Sequence, residues 1–118
     1  MKSEIDSYDE KKLETIKVKA LDILDSEINY ATIADCNFIL GNICIQIDNN
    51  TEAINYFNKA ISYFNKTSQT EIKTKTYFEL SRAYLNELQF TKSEESFNKL
   101  KEIAIDENEK EKLLNILY

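Results

Sequence analysis

The sequence predicts an all-α domain made of antiparallel helix pairs. It has 118 residues with no proline and a single glycine, Gly41, so it lacks the turn-forming residues that β-hairpins need. Apolar residues recur every three or four positions along most of the chain, which is the spacing of an amphipathic helix. The polar segments between these stretches are only a few residues long, which is typical of helices that pack antiparallel to their neighbours.

The first predicted helix runs from about residue 7 to residue 27. Ser7 and Glu10 have the spacing of a capping box, in which the serine and the glutamate each satisfy a free backbone N–H. A second helix begins near Asn29 or Tyr30. It ends at Asp48-Asn49-Asn50, a cluster that favours turns and helix caps. Its apolar stripe consists of Ile33, Cys36, Leu40, Ile43, Cys44 and Ile47.

The second half of the chain predicts four more helices. The third runs from about residue 51 to residue 66 and carries Phe57 in its apolar stripe. The capping box from Ser68 to Glu71 opens a fourth helix, and a fifth follows the short connection 89–91 and ends near residue 105. A third capping box, from Asn108 to Glu111, predicts a sixth helix at the end of the sequence.

Charge and hydropathy exclude several classes of partner. The net charge is -6 and no segment is strongly basic, which argues against direct binding of nucleic acid or anionic membranes. No apolar run exceeds three residues and the N-terminal segment lacks the apolar core of a signal peptide, so we expect a cytoplasmic protein. The excess of lysine over arginine, with abundant isoleucine and asparagine, indicates an AT-rich genome.

The composition also argues against catalysis. The chain has no histidine, which excludes Ser-His and Cys-His nucleophile pairs, and one glycine cannot form a phosphate-binding loop. Cys36 and Cys44 lie eight positions apart, about 12 Å along one helix, too far for a disulfide. We therefore expect small packing cysteines, no metal, no cofactor and no enzymatic activity.

Residues 34–67 and 74–107 form an internal repeat. An offset of 40 positions aligns Leu40 with Leu80, Gly41 with Ser81, Cys44 with Tyr84, Ala53 with Ser93, Phe57 with Phe97 and Lys59 with Lys99. In the first copy, Leu40-Gly41 followed by Cys44, and then Ala53, Phe57 and Ala60, resembles the signature of the tetratricopeptide repeat. A partial third copy follows, with Leu114 and Tyr118 in the places of Leu80 and Tyr84.

This resemblance implies a right-handed superhelix of antiparallel helix pairs in a single domain, residues 1–118. Residues 7–33 are then an N-terminal helix or half-repeat, 34–67 the first repeat, 74–107 the second, and 108–118 a partial third repeat or capping helix. In this family small residues let helix backbones approach closely, while aromatics, here Phe57 and Phe97, fill the gap between successive pairs. The longer repeat period is similar to that of the peptide-sensing regulators of Gram-positive bacteria.

The family binds its ligands along a concave groove lined by the first helix of each repeat. Transferred residue by residue, the resemblance predicts this groove at Asp35, Phe38, Asn42, Ile45 and Gln46 in the first copy and Lys75, Phe78, Arg82, Leu85 and Asn86 in the second. Helical spacing supports a separate stripe, because Phe38, Asn42 and Ile45 lie at i, i+4 and i+7. Alternatively, Phe38 and Phe78 pack against the neighbouring repeat.

The expected function is that of an adaptor that binds a protein or a short peptide. The alternatives are a self-association element and the peptide-receiving part of a bacterial transcriptional or phosphatase-type regulator. Five of the last six residues are apolar and surround too much of the helix for one buried stripe, namely Leu113, Leu114, Ile116, Leu117 and Tyr118. They suggest a homodimer through the C-terminal helix, or a continuation into a further helix.

Overall fold

Five helices account for almost all of the residues that the structure describes. A computed structural model describes residues 4–67 and 70–117, and over these residues it contains helices, turns and no strand. The helices are α1 (Glu4–Ser26), α2 (Tyr30–Gln46), α3 (Asn50–Phe64), α4 (Thr70–Asn86) and α5 (Phe90–Leu117). The predicted all-α fold of a tetratricopeptide-like helical repeat is confirmed. None of these helices combines the length and the apolar character needed to span a bilayer.

Asparagine side chains begin two of the helices. The Asn29 side chain accepts a hydrogen bond from the backbone N–H of Thr32, at 3.2 Å, and caps α2. In the same way the Asn49 side chain accepts from the backbone N–H of Glu52, at 3.3 Å, and caps α3. The prediction that the asparagine cluster at residues 48–50 separates the second and third helices is therefore confirmed.

The loops α2–α3 and α4–α5 have the same backbone geometry at an offset of 40 residues. Asp48 and Leu88 both adopt a left-handed conformation, with φ of 63° and 59°. The N–H of Asn49 donates to the carbonyl of Cys44, and the N–H of Gln89 donates to that of Tyr84. These bonds close the end of each helix in the manner of a left-handed C-terminal cap. The 40-residue offset seen in the sequence therefore also relates the backbone geometry of these two loops.

Two helix boundaries differ from the prediction. The first helix already begins at Glu4, so Ser7 and Glu10 lie within it rather than at its start. The predicted sixth helix does not exist as a separate element, because α5 continues for 28 residues through Asn108. A capping-box sequence starts a new helix only where the chain also changes direction. No proline or glycine forces a turn here. Ser68 and Gln69, of the remaining box, lie outside the described residues.

Ion pairs support the unbroken course of α5. Lys99 contacts Glu102 at 3.5 Å, Lys110 contacts Glu107 at 3.6 Å, and Lys112 contacts Glu109 at 3.9 Å. Oppositely charged residues three positions apart lie on one helix face, and each such pair stabilises the helix by about 0.2–0.5 kcal/mol. The segment that was expected to contain a turn is therefore a charged but regular helix.

The core shows that neighbouring helices are antiparallel. Ala34, at the start of α2, packs with Ala60 and Phe64 near the end of α3. At the opposite end of the same pair, Cys44 packs with Ala53. Helices α3 and α4 repeat this arrangement, since Ile72 near the start of α4 packs against the cluster of Phe64, and Asn86 at the end of α4 donates to Asn50 at the start of α3. The predicted stack of antiparallel pairs follows from these contacts.

The first repeat is held together by Phe57, whose side chain is completely buried. It shares a cluster with Cys44 of α2 and Leu80 of α4, so it joins three helices. Gly41 makes room for the ring, because a Cβ atom at that position would lie 2.5 Å from Cε1 of Phe57. The expectation that a small residue here permits close packing of the helices is confirmed.

The second repeat does not reproduce this packing, and the expectation for Phe97 is wrong. Phe97 is 44% exposed, whereas Phe57 is 0% exposed. Phe57 is covered by the following helix α4, whereas α5 contacts no described helix other than α4, so no equivalent helix covers the Phe97 ring. Instead Ser96 is buried, and the Ser93 hydroxyl donates to the carbonyl of Ser81 at 2.8 Å.

Both cysteines are buried and form no disulfide. Burial raises the pKa of the Cys36 thiol, with a further contribution from the negative charges of Asp35 and Glu27. Burial also raises the pKa of the Cys44 thiol. Since the thiolate is the reactive form, neither cysteine is activated, which agrees with a packing role.

Candidate peptide-binding groove

Helices α2 and α4 contact each other and form one face of the stack. Between them lies an open depression of about 380 Å³. It is lined by Phe38 from α2, by Thr74, Lys75, Phe78 and Glu79 from α4, and by Leu100 from α5. Three of the ten predicted groove residues, Phe38, Lys75 and Phe78, therefore meet in a single site, which we call the α2–α4 depression.

The two phenylalanines of the depression are not equivalent. Phe38 is half-buried and packs against Phe57, with 6.1 Å between ring centroids, so part of its surface belongs to the core. Phe78 is 45% exposed and presents its ring to solvent. Phe38 therefore partly fits the alternative prediction, in which these phenylalanines pack against the neighbouring repeat. Phe78 provides the free apolar surface.

Charged side chains surround the apolar centre of the depression. Lys75 lies 3.5 Å from Glu71, and Arg82 lies 3.3 Å from Glu79, both as pairs within α4. The Arg82 guanidinium also lies over the Phe78 ring, 5.9 Å from its centroid. Because both contacts of Arg82 line the depression, this arginine stands at its edge with part of its hydrogen-bonding capacity already used by Glu79.

Asp35 carries a buried carboxylate oxygen. Among the described residues, its Oδ1 atom has no hydrogen-bond partner. Burial raises the pKa of the Asp35 carboxyl group, because the low-dielectric surroundings disfavour the charged form. A buried acceptor of this kind is stabilised by any N–H group that reaches it. Asp35 does not line the depression, but it lies on α2 three residues before Phe38.

The other predicted groove residues have different surroundings. Ile45 packs against the cluster around Phe57, so it contributes to the core. The Asn86 amide donates to the side-chain oxygen of Asn50 at 3.2 Å and links α4 to α3. Asn42 is half-buried, while Gln46 and Leu85 are exposed. None of these residues lines the α2–α4 depression.

The sequence reading missed three lining residues. Thr74 lies four residues before Phe78, so extending the Phe78 stripe backwards by one turn would have found it. Glu79 and Leu100 also line the depression but were not among the predicted groove residues. Leu100 could not have been found from α4 periodicity, because it reaches the depression from another helix.

A second cleft, of about 520 Å³, lies on the opposite side of α4. Its floor is formed by Tyr77, Leu80 and Tyr84, and α3 and α5 form its walls. The Tyr84 hydroxyl accepts a hydrogen bond from the Asn58 amide at 3.3 Å. Burial raises the pKa of the Tyr77 hydroxyl. The cleft exists because α3 and α5, which both contact α4, do not contact each other.

No group of three cysteine, aspartate or glutamate side chains among the described residues is arranged to hold a metal ion. The chemistry that the face offers is therefore apolar contact, hydrogen bonding and charge pairing. These are interactions by which proteins bind peptides.

Comparison with known families agrees with this fold. Residues 34–67, which cover α2 from residue 34 onwards and all of α3, match the family model described as tetratricopeptide repeat. The match covers 34 of the 118 residues, so this segment is similar to one tetratricopeptide repeat. Such repeats generally mediate protein–protein interaction and are typically non-catalytic. Neither the curated proteins nor the solved structures gave a match to the chain.

Proposed function

We propose that the protein is a non-catalytic adaptor that binds a short extended peptide in the α2–α4 depression. The observation that carries this proposal is the exposed Phe78 ring, which together with half-buried Phe38 gives an apolar floor between the first helices of two successive repeats. An apolar surface flanked by charged groups is typical of peptide-recognition sites.

The charges define the peptide that fits. Lys75 and Arg82 lie on one side of α4, each already paired with a glutamate. An acidic side chain on the ligand can replace Glu79 as the partner of Arg82 and gain a bidentate contact. We therefore expect a ligand with one apolar anchor and one acidic residue.

The affinity of such a contact is modest. The depression, of about 380 Å³, accommodates one or two side chains rather than a folded surface. After the loss of translational freedom on association, a contact of this size leaves a dissociation constant in roughly the micromolar range.

Selection from a random heptapeptide library tests the proposal. The library is selected on the wild-type domain and counter-selected on Phe78→Ser, and the enriched peptides are titrated by calorimetry. We expect binding that weakens at least about tenfold in Phe78→Ser and in Arg82→Ala. Lys92→Ala, on the wall of the opposite cleft, serves as the matched control and should bind as the wild type does. Peptides that bind all four proteins equally would refute the proposal.

We also propose a cytoplasmic location, which the acidic composition and the absence of a long apolar helix among the described residues support.

The division into a first repeat at 34–67, a second at 74–107 and a terminal segment at 108–118 remains a proposal. It is supported by the matching loop geometry at Asp48 and Leu88. The side chains of residues 113, 114 and 116–118, on which the proposed C-terminal dimer contact rests, lie outside the described part of the structure.

A further inference from the structure

The outer face of α5 carries a row of residues that no described helix covers. This row, here called the outer stripe, consists of Phe90, Glu94, Phe97, Lys101 and Ile105. The spacings of four, three, four and four residues keep all five on one side of the helix. Phe90 is 61% exposed, Phe97 is 44% exposed and Ile105 is 59% exposed. Three large apolar side chains in one row are more than the single exposed residues of an ordinary surface.

The outer stripe corresponds to the repeat-to-repeat contact of the first repeat. At an offset of 40 residues its first four members align with Asn50, Ile54, Phe57 and Ile61 of α3. Ile54, Phe57 and Ile61 belong to one cluster with Leu80 of α4, and Asn50 bonds to Asn86 of α4. Helix α5 contacts only α4 among the described helices, so the equivalent side of α5 has no neighbour.

The charges on the outer stripe are complementary to those on the outer stripe of a second, antiparallel copy of α5. Relative to α3, two isoleucines are replaced by Glu94 and Lys101. In an antiparallel pair of α5 helices centred between residues 97 and 98, Glu94 of each copy faces Lys101 of the other. The same register places Phe90 opposite Ile105 and brings the two Phe97 side chains together at the two-fold axis.

We propose that the outer stripe binds a second copy of this chain through this antiparallel, two-fold symmetric contact. A parallel arrangement would place Glu94 opposite Glu94 and Lys101 opposite Lys101, so the charges select the antiparallel register. In a two-fold symmetric contact each complementary pair occurs twice, because the same surface of both copies forms the interface.

Lys101 has the position that this contact requires. Its ammonium group lies 5.9 Å from the centroid of the Phe97 ring. The aliphatic part of the lysine can therefore remain on the ring while the ammonium group reaches Glu94 of the second copy. None of the five stripe residues lines the α2–α4 depression, so the contact leaves that site open and does not rest on the proposed function.

Sedimentation equilibrium of the full chain from about 5 to 500 µM, with charge-exchange variants, tests the proposal. The wild type should shift from its monomer mass of 13.8 kDa towards twice that value as concentration rises. Glu94→Lys and Lys101→Glu should each raise the dimer dissociation constant at least about tenfold, since each places two like-charge pairs in the contact. The double variant, with the charges exchanged, should restore the wild-type constant.

Glu95→Lys is the matched control. It changes the net charge as Glu94→Lys does, but Glu95 lines the cleft on the other side of α5, so its dimer constant should equal that of the wild type. A monomer at every concentration would overturn the proposal. Two single variants that dimerise normally, or a double variant that is not restored, would show that the contact lies elsewhere. Peptide binding that depends on Phe78 is measured separately, so the two proposals can fail independently.

Discussion

The Phe57 ring lies directly against the backbone of Gly41, so close that a Cβ atom there would come within 2.5 Å of the ring. This contact fixes the distance between α2 and α3. It also directs the rest of the ring towards Leu80 of α4, with which Phe57 shares a cluster. One glycine and one aromatic therefore determine both the packing within the first repeat and the contact with the second.

Phe57 and Phe97 occupy equivalent places in the sequence, but their removal should have very different costs. Phe57→Ala should lower the free energy of unfolding by about 3–5 kcal/mol, because the ring is fully buried. Phe97→Ala should lower it by less than about 1 kcal/mol at low protein concentration, because nearly half of that side chain is already exposed. Urea unfolding of both variants measures the difference, and equal losses would contradict the assigned register.

Gly41→Ala should destabilise the protein although alanine is the better helix former. The added methyl group collides with the Phe57 ring, and overpacking of this kind costs about 1–3 kcal/mol. In a Phe57→Leu background the cost should become smaller, because the ring atoms that meet the methyl group are absent. A double-mutant cycle checks this coupling, and additive effects would show that the two residues do not determine each other's packing.

Leu88 adopts a left-handed conformation that favours glycine, with φ of 59°, and its side chain is 72% exposed. Leu88→Gly should therefore raise the free energy of unfolding by about 1 kcal/mol, since the strain of a branched residue is relieved and little burial is lost. Glu87→Gly is the control, because its φ is not positive, and it should lower stability by about 0.5–1 kcal/mol. Thermal unfolding distinguishes these opposite signs, and a loss of stability in Leu88→Gly would contradict the loop geometry.

The stability of the protein should depend on pH through Asp35. Burial raises the pKa of this carboxyl group in the folded state, so the folded protein holds the proton more tightly than the unfolded chain does. Its charged form thus opposes folding above the raised folded pKa, and this penalty disappears as pH falls below the unfolded value of about 3.9. Asp35→Asn should be more stable than the wild type at pH 7, and the difference should shrink on acidification.

Urea unfolding of the wild type and Asp35→Asn between pH 3 and pH 8 measures that dependence. Asp22→Asn, an exposed aspartate of α1, is the control and should leave the profile unchanged. A stability difference between wild type and Asp35→Asn that is the same at every pH would contradict a penalty due to the charge.

The features that local sequence determines were predicted well. The spacing of apolar residues and the asparagine cluster at 48–50 are enough to locate α2, α3 and the turn between them, since caps and stripes act within a few residues. The depression was predicted in part for the same reason, because Lys75 and Phe78 lie on one face of α4. Leu100 was not found there, because it arrives from a helix that sequence spacing does not orient relative to α4.

The errors came from features that depend on tertiary neighbours. Phe97 was expected to be buried by analogy with Phe57, but no described helix follows α5 to cover it as α4 covers Phe57. The capping box at Asn108 did not start a new helix, because α5 continues through it and the sequence has no proline or glycine there to turn the chain. A repeat alignment transfers residue types from one unit to the next, but it does not transfer the neighbours that bury them.

The most direct test of the account is a chemical-shift map of the ¹⁵N-labelled protein, titrated with the heptapeptide enriched against wild type and depleted against Phe78→Ser. The account predicts that the largest amide shifts fall at Phe38, Lys75, Phe78 and Glu79, around the α2–α4 depression. Amides at Tyr77, Tyr84 and Lys99, around the opposite cleft, should move little. Shifts concentrated around that opposite cleft, with the depression unchanged, would contradict the proposed peptide site.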